Sequence, residues 1–338
     1  MKAVAYRHSL PVTDPQSLLD VDLPAPIAQG RDLLVKVEAV SVNPVDTKIR
    51  MRTDPQGADK VLGWDAAGTV VAIGADVSLF KPGDAVYYAG AIDRSGSNAE
   101  LHLVDERIVG RKPASLDFAQ AAAMPLTTIT AWELLFDRLG VPRGSTARGG
   151  VVLVVGGAGG VGSMAIQLAR RLTNLTVIAT ASRDDSRAWV RDMGAHHVID
   201  HRGDLVAQVK AISPPGVDYV LSLTHTEQHF PALVELLKPQ GKLGLIDDPA
   251  TPLDIRLMKS KSLSLHWEFM YTRSLHHTDD MQAQHVLLDE VANLVDAGVL
   301  RSSLRENLGT INAANLRRAH AQVESASTIG KLVLGGFA

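Results

Sequence analysis

The sequence predicts an α/β protein, a doubly wound parallel sheet joined to a small β-barrel-like domain. Three observations predict it. Five apolar, mostly β-branched residues at 151–155 run into a glycine turn and then a helical pattern. From there strand-like and helix-like stretches alternate, which implies βαβ units and a parallel sheet. Before about residue 123 the signals are instead short strands separated by Gly and Pro, the pattern of a small barrel.

The whole chain sets the bounds. Its 338 residues are enough for two domains with full cores. With 46% hydrophobic and 21% charged residues the composition is that of a globular protein. A net charge of −3 gives no electrostatic reason to expect nucleic acid or an anionic membrane as partner. No stretch approaches the ~18 unbroken apolar residues of a membrane span. The first eight residues lack the apolar core of a signal peptide and read as a strand, so the expected compartment is the cytoplasm. The chain has no cysteine, which removes disulfides, thiolate catalysis and thiolate-bound zinc together.

The elements follow in order. Residues 33–40, 69–73 and 85–88 read as barrel strands, the last after the turn Lys81-Pro82-Gly83-Asp84. Pro11, Pro15, Pro24, Pro26 and Pro44 confine their stretches to loops and strand edges. Ser115 is the expected cap of a helix through Met124, which Pro125 interrupts. A second helix is expected at about 127–139, with Ile129, Trp132, Leu135 and Phe136 on one face and Gly140 and Pro142 closing it. The parallel strands are expected at 151–155, 176–181, 197–199, 219–223 and 242–246, with a sixth at 263–267. Helices are expected at 230–237, 279–296 and 313–324, and a closing strand at 330–334. That strand returns to the first domain and makes it discontinuous, 1–125 with 269–338 around 126–268.

The glycine turn carries the clearest chemistry. Gly157, Gly159 and Gly162 fit Gly-x-Gly-x-x-Gly between a strand and a helix, the setting of a dinucleotide fingerprint. The first glycine permits the tight turn, the second lets backbone approach a pyrophosphate, and the third lets the helix pack close. Ala158, Gly160 and Val161 complete the turn, and the free N–H groups and positive helix end hold the anion.

Several ordered motifs then resemble one superfamily. They are the runs Asn43-Pro44-Val45-Asp46-Thr47-Lys48, Gly63-Trp64-Asp65-Ala66-Ala67-Gly68, Phe80-Lys81-Pro82-Gly83-Asp84, Leu126-Thr127-Thr128-Ile129-Thr130 and Thr328-Ile329-Gly330-Lys331-Leu332, together with the glycine fingerprint. The chain resembles the medium-chain dehydrogenase/reductases, and within them the zinc-free quinone oxidoreductases often labelled zinc-type alcohol dehydrogenase-like. The resemblance implies a GroES-like catalytic domain and a Rossmann domain. Zinc alcohol dehydrogenases of this superfamily use a Cys and a His-Glu pair; here the Cys position falls near Asp46 and the pair becomes Trp64-Asp65. Trp cannot ligate a metal, so no zinc is expected.

The same resemblance places the cofactor and substrate ends. The position that holds an acid in NAD-preferring domains, about 20 residues past the fingerprint, is Ala181, followed by Ser182 and Arg183. A neutral residue, a hydroxyl and a guanidinium suit a 2′-phosphate, so NADPH is expected over NADH, although Asp184 could still accept from a ribose hydroxyl. His201, Leu223 and Ile246 join the expected cofactor contacts. Asn43, Lys48 and Thr127 are the candidate donors to the acceptor's oxygen. Lys48 stands where many quinone oxidoreductases have Tyr, and is either such a donor or a solvated edge-strand lysine. Trp64 is either an aromatic wall for a flat substrate or core packing.

Without a Lewis acid, reduction of a quinone or an α,β-unsaturated carbonyl is the expected reaction, because conjugation spreads the incoming charge and one or two hydrogen-bond donors suffice. The alternatives are a non-enzymatic NADPH-binding or sensor protein and, less favoured, a zinc-dependent alcohol dehydrogenase. His225 and His229 have the i, i+4 spacing of a helical metal pair but lack the Glu of a zinc-protease motif, and read as surface polar residues. His276-His277 reads as solvated loop. The apolar sheet edge at 263–267 leads to an expected homodimer.

Overall fold

The alternating second half builds six parallel strands. In a computed structural model that describes residues 1–144 and 149–337, their order is His197–Ile199, Leu175–Thr180, Gly150–Val155, Val217–Ser222, Leu237–Leu245 and Ser264–Trp267. The order reverses between Gly150–Val155 and Val217–Ser222, the switch point at which such sheets bind nucleotides outside the carboxyl ends of their strands. These strands belong to the compact unit Thr130–Met270. Its core joins Leu153, Ile178, Val220 and Leu243 from the sheet to Val209, Phe230 and Leu233 from the helices Leu205–Ile212 and Thr226–Leu236. The fifth strand begins at Leu237 rather than 242, and Gln240 takes a left-handed φ of 64° within it.

The second unit joins Met1–Ile129 to Tyr271–Ala338. A seven-stranded sheet runs Leu304–Asn307, Lys331–Gly335, Asp32–Val42, Asp65–Ile73, Ala85–Ala89 and Val109–Arg111, with Leu101–Asp105 paired to Asp32–Val42 off this path. The closing strand does return to the first unit, pairing antiparallel with Asp32–Val42 from Leu332 opposite Val42 to Gly335 opposite Ala39. A three-stranded sheet of Leu19–Asp22, Lys2–Tyr6 and Lys60–Val61 completes the β-structure.

Four local readings are corrected. Pro44 opens a helix, Pro44–Arg52, so Lys48 is a half-buried helical residue and not an edge-strand lysine. Proline suits the first helical position because the N–H it lacks has no intrahelical partner there. Asp117, not Ser115, caps the short helix Phe118–Ala122, in a box with Gln120; Ser115 Oγ donates to the Asp296 carboxylate at 2.6 Å instead. Pro125 starts the next helix, Pro125–Trp132, which passes into a wider π-turn at Glu133–Arg138 where Leu139 N–H reaches Leu134 O at 3.0 Å. The helix expected from 279 begins at Ala283, because the Asp280 carboxylate is held by Thr278 Oγ1 at 2.7 Å and Arg273 Nε at 3.0 Å. Among the described residues no helix is long and apolar enough to cross a membrane.

The π-turn buries two acids against one cation. Arg138 donates to Glu268 at 2.8 Å and to Glu133 at 3.4 Å, and both carboxylates are buried. Burial and then the neighbouring Glu133 push Glu268 up to about 9. A carboxyl whose folded value lies above its unfolded value stabilises fully below the unfolded range, and that contribution is lost as pH rises toward the folded one. Thermal stability is therefore expected to fall between about pH 5 and pH 9, and Glu268→Gln to flatten that fall, as melting midpoints taken across the range will read.

Candidate functional site

The fingerprint turn is built for close approach. Gly156 takes a φ of 84°, and its N–H is held by Thr180 Oγ1 at 3.0 Å, tying the turn to the second strand. A Cβ on Gly162 would lie 2.4 Å from Gly156 O and 2.7 Å from the Gly157 backbone, so only glycine lets the helix Gly160–Leu172 pack on the turn. A Cβ on Gly157 would meet Ala179 Cβ at 3.0 Å. Gly159 differs, since its Cβ would meet only Gly156 O at 3.8 Å and the space beside it is open. No side chain caps this helix at Gly159, and the partly exposed Ala158, Gly160 and Val161 line the same opening. Open space beside uncapped N–H groups at a helix start suits a pyrophosphate.

The residues expected at the adenosine end lie at the next two strand ends. Ala181 is buried, and its N–H donates to Ile199 O at 2.9 Å. Ser182 is partly exposed and Arg183 exposed, at the start of the helix Asp184–Asp192. Arg202 reaches across to Ser182 O at 2.8 Å while also gripping Asp200 at 2.7 Å. Those hydrogen bonds hold the Asp200 carboxyl well below the usual carboxylate range, so its charge is spent locally. His201 lies between them, half-buried, and its ring meets that of His229 edge-on at 6.4 Å. His225, at the head of the helix Thr226–Leu236, takes a left-handed φ of 52° and bonds Thr224 Oγ1 at 2.7 Å. Burial lowers both His201 and His229, and His225 lowers each further. His225 and His229, an i, i+4 pair expected from sequence as surface polar residues, thus gather with His201. Leu223 and Ile246 are partly exposed just past the ends of the fourth and fifth strands.

The barrel-side candidates form a separate buried network. Asp65 Oδ1 accepts from Leu126 N at 2.7 Å, and Oδ2 accepts from Asn43 Nδ2 at 2.8 Å and Lys331 Nζ at 3.0 Å. Lys331 also donates to Val42 O at 3.0 Å and to Asn43 Oδ1. Asn43 N–H donates to Asp46 Oδ2 at 2.5 Å. Burial pushes Asp46 up to about 7, against the pull of the Asn43 amide and Lys331. Asn43 is thereby occupied on both sides of its amide. Trp64 is 1% exposed, donates Nε1 to Ala91 O at 3.0 Å and meets Tyr271 edge-on at 6.1 Å, so it packs the core rather than walling an open pocket. Thr127 is 3% exposed and donates to Met124 O at 3.2 Å. The structure brings Asn43 to Asp65 and Lys331, a residue the sequence reading saw only as part of a strand motif. Lys48 lies on the helix that begins beside Asn43.

Comparison with known proteins places the chain in a family. Residues 29–115 match the alcohol dehydrogenase GroES-like domain and residues 160–283 the zinc-binding dehydrogenase domain. A zinc-type alcohol dehydrogenase-like protein of Staphylococcus epidermidis is 40% identical over 336 residues, covering 99% of each chain. The chain is a medium-chain dehydrogenase/reductase. Among solved structures, one from Rhizobium etli, named provisionally for a zinc-dependent alcohol dehydrogenase, has 55% identity and a TM-score of 0.96 over 100% of this chain and 98% of its own. The quinone oxidoreductase of Coxiella burnetii has 28% identity and a TM-score of 0.81 over 99% of each chain. A mycobacterial protein complexed with NADPH has 27% identity and a TM-score of 0.83 over 99% of this chain and 100% of its own.

For this dehydrogenase/reductase the zinc in its relatives' names meets a poor donor set. Zinc takes four donors, of Cys, His or carboxylate type. Here there is no thiol and Trp64 fills the imidazole position. Both oxygens of Asp65 are already held, one of them by an ammonium that a dication would have to displace. Among the described residues no group of three or more His, Cys, Asp or Glu is placed to hold a metal ion. The residues present do not fit zinc. They do fit a dinucleotide, through the open side of Gly159.

Proposed function

We propose that this medium-chain dehydrogenase/reductase is a cytoplasmic NADPH-dependent reductase of quinones or α,β-unsaturated carbonyls that works without a catalytic metal. The observation that carries the reading is the Asp65 carboxylate, held by Lys331, Asn43 and the Leu126 amide at the position where zinc relatives place a His-Glu pair. Bound NADPH supplies the hydride. The turn at Gly157–Gly162 binds its pyrophosphate, and Ser182 and Arg183 take the 2′-phosphate. Lys48, on the helix capped by Asn43, stabilises negative charge on the acceptor oxygen. NADPH consumption against a panel of quinones, enones and aldehydes, on protein with its metal content measured, tests the reading. Turnover of quinones or enones by metal-free protein is the expected result. Cofactor binding with no turnover of any acceptor favours the sensor role, and activity that tracks zinc content overturns the metal-free chemistry.

Arg183→Ala is expected to raise KM for NADPH about tenfold or more, the worth of a charge-assisted hydrogen bond, and to leave KM for NADH nearly unchanged. An equal rise for both cofactors refutes the assignment. We also propose a homodimer. Ser264–Trp267 is the sheet's edge strand, and Trp267 and Phe269 beside it are 53% and 45% exposed, a combination that favours strand-to-strand pairing.

A further inference from the structure

Three histidines from two segments of the chain gather along one rim of the parallel sheet, His201 on one and His225 with His229 on the other. His201 follows the strand His197–Ile199, His225 follows the strand Val217–Ser222, and His229 lies one turn into the helix Thr226–Leu236. The rim is anchored at both ends to the expected nucleotide contacts. At one end Arg202, next to His201, donates to Ser182 O at 2.8 Å. At the other, Thr224 beside His225 faces the glycine turn, where a Cβ on Gly156 would lie 3.0 Å from Thr224 Cγ2. Neither His201 nor His229 hydrogen-bonds another described residue through its ring, so both rings are available to a ligand.

The surrounding charges favour an anion. Around His201 stand Asp200 and Arg202 from its own loop, and Arg187 from the helix Asp184–Asp192. Asp200 is bound by both Arg202 at 2.7 Å and Arg187 at 3.4 Å, so its charge is compensated. Around His229 stand the two other rings. Asp247 accepts from Thr226 N at 2.9 Å and from Thr226 Oγ1 at the start of the helix that carries His229. His201 and His229, whose protonation burial and neighbouring charge disfavour, with Asp200 already engaged, form a site whose charge appears when an anion arrives.

We propose that His201, His225 and His229 make a proton-linked contact for the adenosine 2′-phosphate, so that NADPH binding takes up protons and the preference for NADPH over NADH grows as pH falls. The proposal rests on the NADPH reading above and adds to it a cofactor preference set by pH. The sign follows from linkage. In the free protein burial and mutual repulsion keep His201 and His229 below their ordinary range, so they are neutral near pH 7. A phosphate dianion alongside raises them, and each proton taken up tightens binding as pH falls through the bound-state value, until the free-state value is reached. NADH has no 2′-phosphate and lacks this dependence. A shift of one unit on one ring is tenfold in affinity. The phosphate's own second ionisation, near pH 6, sets the lower end of the useful range.

Calorimetric titration of the whole protein with NADPH and with NADH from pH 8 to pH 6, in buffers of differing ionisation enthalpy, tests this. Kd for NADPH is expected to fall about tenfold over that range, with net proton uptake, while Kd for NADH stays flat. Imidazole resonances followed by NMR with 2′,5′-ADP should show His201 and His229 titrating at higher pH in the complex. His201→Gln and the triple His201→Gln/His225→Gln/His229→Gln variant should lose the NADPH pH slope, with the melting midpoint confirming a folded chain. Equal pH slopes for NADPH and NADH, a slope that survives the triple variant, or unmoved imidazoles each overturn the histidine role while leaving the NADPH reading intact. No NADPH binding at any pH overturns both.

Discussion

Gly162→Ala is expected to lower the melting midpoint by about 5 °C and to weaken NADPH binding about a hundredfold. The methyl group would lie 2.4 Å from Gly156 O and 2.7 Å from Gly157 Cα, all of it backbone that has nowhere to go. Overpacking of this kind costs about 1–3 kcal/mol, or roughly 2–4 °C each in a chain of this class. The helix Gly160–Leu172 cannot simply retreat, because it is buried from Gly162 to Ala169 and pinned by Trp189 Nε1 donating to Ser163 Oγ at 2.8 Å. The turn must open instead, which moves the N–H groups that would hold a pyrophosphate. Gly159→Ala is the discriminating partner. Gly159 has an ordinary φ of −71° and open space beside it, so its melting midpoint should match the parent. Its methyl would nonetheless stand where the cofactor approaches, and NADPH affinity should fall about tenfold or more. A Gly159→Ala protein that binds NADPH as the parent does would remove the pyrophosphate from this turn.

Lys331→Met should be the most destabilising single change in the barrel unit, at about 3–5 kcal/mol, the cost of leaving one member of a buried ion pair unpaired. Lys331 is 3% exposed and is held by Asp65, Asn43 and the Val42 carbonyl. Its loss leaves a carboxylate with 0% exposure to face the interior with only the Asn43 and Leu126 donors. Adding Asp65→Asn removes the stranded charge, and the double variant should recover more than half of the loss in urea denaturation. A double variant as unstable as the sum of its singles would mean that Lys331 and Asp65 act independently.

The parallel sheet was legible because its signal is local: five apolar residues, a glycine turn and a helical period sit within positions 151–172. The helix Pro44–Arg52 was not, because it buries Asp46, Thr47 and Arg50 rather than an apolar stripe. Read with the proline as a helix start and Asp46 reaching back to the Asn43 N–H, that stretch does carry its own signal. The network around Asp65 had no local signature, since its cation arrives from 266 positions away. The histidine rim escaped for a related reason. His225 and His229 show only a helical spacing, and nothing in sequence places His201 against them, although the rings meet at 6.4 Å. Sequence leaves Trp64 open between a substrate wall and core packing, and the structure buries it with its Nε1 donating to Ala91 O.

The discontinuity of the barrel unit has a consequence for biosynthesis. Lys331 lies in the strand Lys331–Gly335, between Leu304–Asn307 and Asp32–Val42, and follows the whole nucleotide-binding unit in the sequence. Domains fold as they leave the ribosome, earlier segments first. The unit Thr130–Met270 is therefore complete in the nascent chain while Asp32–Val42 still lacks one neighbour and Asp65 lacks its ammonium. Until that strand emerges, the barrel holds an uncompensated buried acid and an unpaired strand, and it is this half of the protein that most needs a chaperone's shelter.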